Sequence, residues 1–207
     1  SDPRSGAGNL DIYAQKLSGS GALQWAATGI AVCQADGDQV NVGVARDGAG
    51  GVFIAWGDNR AAGVGEYAQR LNAAGTAQWT VDGLQLFAGT GSLFGGFAQT
   101  NIVSDGAGGF FASWSGLFSG VTVQRFGSDG SETWTPGGVG VDAASFGAFN
   151  TTLVEDGQHG AIVAWTGVRG SNTLILAQRL NTSGTIQWTT NGVALHDATG
   201  TRFVSAI

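Results

Sequence analysis

With 207 residues, 43% of them hydrophobic and 12% charged, the chain is long enough to bury a core and too apolar for a disordered tail. A formal charge of −6, a pI of about 4.6 and a single lysine, Lys16, leave no Lys/Arg cluster, which excludes nucleic acid and anionic membrane surfaces as expected partners. Cys33 is the only cysteine, so an intrachain disulfide and a cysteine-based zinc site are excluded, and no apolar run is long enough for a transmembrane helix.

In chain order, 1–34 reads as two strands, c and d. LDIYAQKL (Leu10 to Leu17) is strand c; a turn at Gly21 leads to LQW, ending on Trp25, where strand d is expected to begin. Residues 40–57 read as strands a and b: NVGVA, the turn DGAGG from Asp47, then VFIAW to Trp56. The c/d pattern returns at 58–88 with Tyr67, Gln69, Arg70, Gly75 and Trp79, and the a/b pattern at 99–115 with Asp105 and Trp114. A third c/d unit occupies 116–143 with Gln124, Arg125, Gly130 and Trp134. A third a/b unit occupies 150–166 with Asp156 and Trp165, and a fourth c/d unit 168–197 with Gln178, Arg179, Gly184 and Trp188. The segment 201–207 reads as a partial strand a, and SDPR at the start matches GDNR (Gly57 to Arg60).

This is one repeat in four copies. Gln15, Gln69, Gln124 and Gln178 are separated by 54, 55 and 54 residues, and the turn glycines and tryptophans keep that register. The 37 glycines and 2 prolines fit a chain that turns often and in the same way, and no segment carries a convincing helical period. VFIAW and FFASW are apolar on both faces, whereas a sheet with one wet face alternates. The expected fold is therefore all-β, a β-propeller of four-stranded antiparallel blades with a repeat of about 54 residues. A complete strand b occurs three times against four strand c/d pairs, and Met is absent. The expectation is therefore a segment of a larger or oligomeric ring, completed by further repeats of the same polypeptide or by another protein chain.

The patterns DGxGGxxxxWxDxR and IYAQRLxxxGxxxW resemble, over the whole chain, the repeats of secreted bacterial β-propeller proteins, many of unassigned function. The likeness is fullest at Asp47, Gly51, Trp56, Asp58, Arg60, Tyr67, Gln69 and Arg70, while SGLFSG (Ser115 to Gly120) has lost the Asp and Arg after its tryptophan. The resemblance implies export and a framework role for these residues. The turn differs from the S-x-D-x-G-x-T-W box of sialidase-type propellers, since Ser104 abuts Asp105.

Four cations at equivalent positions, Lys16, Arg70, Arg125 and Arg179, suggest either an anion site around a channel or pairing with turn aspartates. The second is expected, because a feature repeated in every copy signals framework. The glutamines share a face with Tyr13, Tyr67, Leu17 and Leu71 and are expected to be buried on neighbouring backbone. Asp58 and Arg60, like Asp2 and Arg4, read as an exposed turn-closing ion pair. Asp47, Asp105 and Asp156 read as turn caps, and Asp36 with Asp38 as the better Ca²⁺ candidate, no other cofactor being expected. Trp25, Trp79, Trp134 and Trp188, with Trp56, Trp114 and Trp165, read as packing between blades, with a sugar-stacking strand d tryptophan as the functional alternative.

His159 sits in a turn, and His196 falls where other copies carry Cys33, Phe87 and Asp142, a position too variable for catalysis. Asn150 and Asn181 begin N-x-S/T sequons. With no catalytic motif, the expected function is a non-catalytic extracellular or cell-surface module for protein or assembly contacts. The rival is a lectin-like module binding glycan through the loops Gly89 to Gly96, Ser115 to Gly120 and Val168 to Asn172, ahead of a fragment of a glycan-active hydrolase.

Overall fold

The hairpin turns organise the strands. In each DGxxG turn one carboxylate oxygen closes the loop by accepting two backbone N–H groups. Asp47 Oδ1 accepts from Ala49 and Gly51, Asp105 Oδ1 from Ala107 and Gly109, and Asp156 Oδ1 from Gln158 and Gly160, all at 2.7–2.8 Å. The last glycine of each turn lies so close to the strand c backbone that a Cβ at Gly51 would collide with Leu71 and Asn72.

A computed structural model describes residues 9–61, 64–88, 101–116, 120–145 and 147–196. These form 14 strands and no helix. Chain contacts divide the chain into two compact units, Ser1–Leu93 and Phe94–Ile207. The first unit holds β1 (Ile12–Ala14), β2 (Ile30–Cys33), β3 (Gln39–Arg46), β4 (Val52–Asp58), β5 (Gly65–Leu71) and β6 (Leu84–Ala88). The second holds β7 (Asn101–Ser104), β8 (Phe110–Gly116), β9 (Gly120–Phe126) and β10 (Val139–Asp142), then β11 (Gly147–Glu155), β12 (Ala161–Arg169), β13 (Asn172–Leu180) and β14 (Val193–His196).

All pairings are antiparallel between sequence neighbours. They give the two-stranded sheet β1-β2 and three four-stranded meanders, β3 to β6, β7 to β10 and β11 to β14. The fold is all-β, as expected. Asp2, Arg4, the loop Gly89 to Gly96, most of the turn inside Ser115 to Gly120 and the segment 201–207 lie outside the described residues.

Strand d does not begin at the tryptophan, as the sequence reading had it. After strand c the chain makes one bridge, Leu17 to Leu23, Leu71 to Ala77, Phe126 to Glu132 and Leu180 to Ile186, and then turns a second time. The ladder resumes only at β2, β6, β10 and β14. The reason is the strand c glutamine. Its side chain takes up the backbone groups of the Trp segment, so that segment has no need of a neighbouring strand: Gln69 Oε1 accepts from Trp79 N at 3.0 Å and Nε2 donates to Thr80 O at 2.9 Å.

Strand b is buried on both faces. Phe53, Ile54, Ala55 and Trp56 are all essentially inaccessible, as are Ala161, Val163, Ala164 and Trp165. In the first unit Ile54, Trp56, Tyr67 and Leu71 pack on Ile12, Val32 and Cys33 of the β1-β2 sheet. In the second, Val163, Trp165, Leu176 and Leu180 pack on Val121, Val123, Val141 and Trp134 of the preceding sheet. Each pair of sheets thus shares one core, and each fully buried aliphatic or aromatic side chain in it is worth about 1.5–3 kcal/mol of transfer free energy.

Candidate functional site

The strand c cation neutralises the turn carboxylate of its own sheet. Arg70 meets Asp47 at 3.0 Å, Arg125 meets Asp105 at 2.7 Å and Arg179 meets Asp156 at 2.7 Å. Burial alone would raise these carboxyls, but the turn N–H groups and the guanidinium outweigh it and hold all three below the ordinary carboxylate value. Lys16, whose sheet has no described a/b turn, donates instead to Gly50 O at 3.0 Å. Arg70 and Arg125 also lie 5.6 and 5.8 Å from the Phe53 and Phe111 ring centroids. Phe53 stacks in turn on Trp79, centroids 5.9 Å apart, and Phe111 packs on Trp134 in a tilted geometry at 5.4 Å.

The four glutamines carry one bonding pattern. Each side-chain carbonyl accepts from the next residue's N–H and from the strand-d-side tryptophan N–H, and each amide donates to a carbonyl 11 residues on. Gln69, Gln124 and Gln178 are buried, while Gln15, in the two-stranded sheet, is half-buried.

A second charged node was misjudged from sequence. Asp58 is fully buried and Arg60 half-buried, not an exposed pair. The reason is Trp56, whose indole N–H donates to Asp58 Oδ2 at 2.8 Å and draws the carboxylate under the sheet end. Arg60 bonds Asp58 and the Asp82 carbonyl, contacts Cys33 Sγ at 3.3 Å, and lies 3.9 Å from the Tyr67 ring centroid. Burial pushes the Cys33 thiol up to about 12.

The second unit builds the same node from a different donor of charge. Trp165 Nε1 donates to Asp142 Oδ2 at 2.8 Å, and Arg169 bonds Asp142 and the Asn191 carbonyl. Ser145 and the N–H groups of Ala144 and Ser145 add to it. Burial would raise the Asp142 carboxyl, but these donors and Arg169 hold it low. Asp142 stands 109 residues after Cys33, and Gly167 stands 109 after Asp58. The position set aside as too variable is therefore a buried carboxylate in one unit and a buried thiol in the other.

The signal that would have found it is that 109-residue offset, which also relates Gln15 to Gln124, Trp25 to Trp134, Asp47 to Asp156, Trp56 to Trp165 and Arg60 to Arg169. It extends to backbone: Asn41 and Asn150 both take positive φ, 56° and 52°, at a register shift in β3 and β11.

The tryptophans divide by burial. Trp56 and Trp165 are fully buried and Trp134 is 8% exposed, whereas Trp25, Trp79 and Trp114 are half-buried and Trp188 is 38% exposed. Trp25 Nε1 donates to Ala73 O at 3.4 Å and Trp134 Nε1 to Thr182 O at 2.9 Å, each crossing to the next sheet of its unit. Asp38 Oδ1 accepts from Leu10 N at 3.0 Å, which orients it toward β1. Among the described residues no three His, Cys, Asp or Glu gather as metal ligands. His159 Nδ1 lies 3.0 Å from Asp105 O, joining two a/b turns. Asn181 Oδ1 caps the last c/d turn through Ser183 and Thr185 N–H. A shallow cleft of about 220 Å³ lies over Tyr13, Gln15, Leu23 and Gly29.

The described features define an all-β chain whose repeated polar residues are held by hydrogen bonds and ion pairs within and between sheets. No family model, curated protein or solved structure matches the chain.

Proposed function

We propose that the chain is a run of β-propeller-type blades that serves as a non-catalytic scaffold for protein or assembly contacts, at the cell surface or outside the cell. One observation carries this reading. The polar residues that recur along the chain are spent on the framework: three arginines on turn aspartates, the four glutamines on the Trp segments, and Trp56 and Trp165 on buried carboxylates. Residues committed in this way give geometry and stability, and function then resides on the surface the stacked sheets present. Low charge and the resemblance of the repeats to those of secreted proteins support the location, which fractionation of the source cells with an antibody to the chain would test.

A lectin-like role is the second reading, favoured by the exposure of Trp188 at the face of the last sheet. A glycan array read with tryptophan fluorescence decides between the two. Binding of no sugar leaves the scaffold, whereas saturable binding that is lost in Trp188→Ala replaces it with carbohydrate recognition. Calcium at Asp36 and Asp38 is the one metal candidate of this reading, and a calcium-dependent rise in melting temperature, lost in Asp36→Asn, would establish it.

A further inference from the structure

In the first unit the turn from β2 into β3, Ala35 to Gln39, is held on two sides. Gln39 N donates to Leu10 O at 2.7 Å and Leu10 N donates to Asp38 Oδ1 at 3.0 Å, which ties the turn to the segment entering β1. Asn59 N donates to Asp38 O at 3.0 Å, which ties it to the end of β4. Gly37 holds a φ of 101°, and a Cβ there would come within 2.7 Å of Asn59 O, so the turn admits no side chain at that point.

This pinned turn carries oxygens that no donor reaches. Gln39 is fully buried, and its Nε2 donates to Ala35 O at 3.0 Å and to Gly37 O at 2.8 Å. Those two bonds fix the amide inside the turn and leave Oε1 buried with no hydrogen-bond donor. Asn9 Oδ1, on the residue before the Leu10 N–H that holds Asp38, is buried without a donor as well. Asp36, exposed, and Asp38, half-buried, flank Gly37. Among the described residues neither meets a cationic side chain, the ion pairs going to Asp47, Asp58, Asp105, Asp142 and Asp156. A buried acceptor left unmatched costs stability, and uncompensated carboxylates beside it add to that cost.

The framework does not require this cluster. At the 109-residue offset Asp36, Asp38 and Gln39 are matched by Ser145, Gly147 and Ala148, and Asn9 by Phe118. The two stretches run without a gap between equivalent anchors, Cys33 to Asn41 and Asp142 to Asn150. Ala148 is buried just as Gln39 is, so the second unit fills the same place with a methyl group. Of these counterparts only Ser145 keeps a side-chain oxygen, and it is spent on Asp142. Polar residues repeated in every copy signal framework; a polar cluster carried by one unit alone signals a local task.

We propose that this turn binds Ca²⁺ through Gln39 Oε1 and the carboxylates of Asp36 and Asp38, with Asn9 Oδ1 as a further ligand and water completing the shell. Carboxylate and amide oxygens in an irregular arrangement suit Ca²⁺, whereas Mg²⁺ demands a near-ideal octahedron. The ion satisfies the unmatched amide oxygens and neutralises the two carboxylates at once. Because Asp38 is tied to both Leu10 and Asn59, it also strengthens the seam between the two sheets of the first unit. Few protein ligands, one of them exposed, set the affinity at roughly 10⁻⁴–10⁻³ M, the range of extracellular modules. The inference deepens the calcium candidate above and rests on the extracellular reading only for the supply of the ion.

The test is calorimetric titration of the chelator-treated 207-residue chain with calcium chloride, with melting temperature followed in parallel. The expected result is saturable binding and a melting temperature that rises with Ca²⁺, neither of which magnesium chloride reproduces. Asp36→Asn, at an exposed site, weakens binding several-fold. Gln39→Ala installs the side chain that the second unit carries, so it keeps the calcium-free circular dichroism of the parent and loses the response; if it fails to fold, Asp36→Asn decides. No heat and no change in melting up to about 10 mM Ca²⁺ would mean that water alone fills the turn, and would overturn the proposal. An equal response to Mg²⁺, or binding that Asp36→Asn leaves intact, overturns it too. The location fails separately: cell fractionation that finds the chain inside the cell overturns the extracellular reading, whereas an external chain that binds no calcium overturns this site alone.

Discussion

The indole of Trp165 donates to the carboxylate of Asp142 at 2.8 Å, and the partner comes from the preceding sheet and not from the strand that carries the tryptophan. In the other unit Trp56 takes its carboxylate, Asp58, from two residues further along its own strand. The charge has moved between two positions while the Trp, the Arg and the accepting carbonyl at Asp82 or Asn191 have stayed. Asp58→Gly should therefore destabilise the first unit by about 3 kcal/mol, since it leaves Arg60 and the Trp56 N–H without their buried partner. Adding Cys33→Asp should recover most of that loss, because it recreates the arrangement of Asp142 and Gly167. Denaturant titration followed by tryptophan emission measures both, and equal losses in the single and double variants would show that the two positions do not substitute for one another.

Acid should unfold the protein through its turn carboxylates. Asp47, Asp105, Asp142 and Asp156 are all held below their ordinary value in the folded state. Depressed folded values mean that the unfolded state binds more protons in the acid range. Their contribution is then complete above the unfolded value of about 3.9 and is lost as the pH falls from there through the folded values. Melting temperature against pH should be flat near neutrality and drop below about pH 4. Asp105→Asn should start lower and fall less steeply, and an unchanged slope would remove Asp105 from the set of groups responsible.

Gln69 and Gln15 make the same three hydrogen bonds in different surroundings. Gln69→Leu strands two N–H groups and one carbonyl in a buried site and should cost about 3 kcal/mol. At Gln15, half-buried in the two-stranded sheet, water replaces the lost partners and the same change should cost under about 1 kcal/mol. Equal losses at the two sites would mean that burial does not set the value of this clamp.

Trp134 and Trp188 occupy the same repeat position with opposite burial. Trp134→Ala removes a core side chain that bridges two sheets and should cost about 3–5 kcal/mol. Trp188→Ala should cost under about 1 kcal/mol in the monomer. Thermal unfolding at low protein concentration makes the comparison.

Cys33 is 1% exposed, and burial pushes its thiol to about 12, so it stays protonated and shielded at mildly alkaline pH. A thiol-reactive disulfide reagent should leave the folded chain unmodified and label one thiol per chain only as denaturant unfolds the first unit. Rapid labelling of the native protein would contradict the buried node.

The all-β class, the hairpin turns and the burial of strand b were legible in the sequence because each has a local cause. Glycine punctuation sets the turns, an Asp two and four residues before free N–H groups caps them, and a run apolar at consecutive positions requires cover on both faces. What one strand shows of itself, its sequence carries. Three features were decided only by tertiary structure, since each joins residues that no local pattern links. Strand d starts after the second turn because a glutamine side chain has already satisfied the Trp segment, and Asp58 is buried because the Trp56 indole reaches it. Asp142, in the most variable position of the repeat, carries a buried charge because Trp165 and Arg169 of the neighbouring sheet close on it.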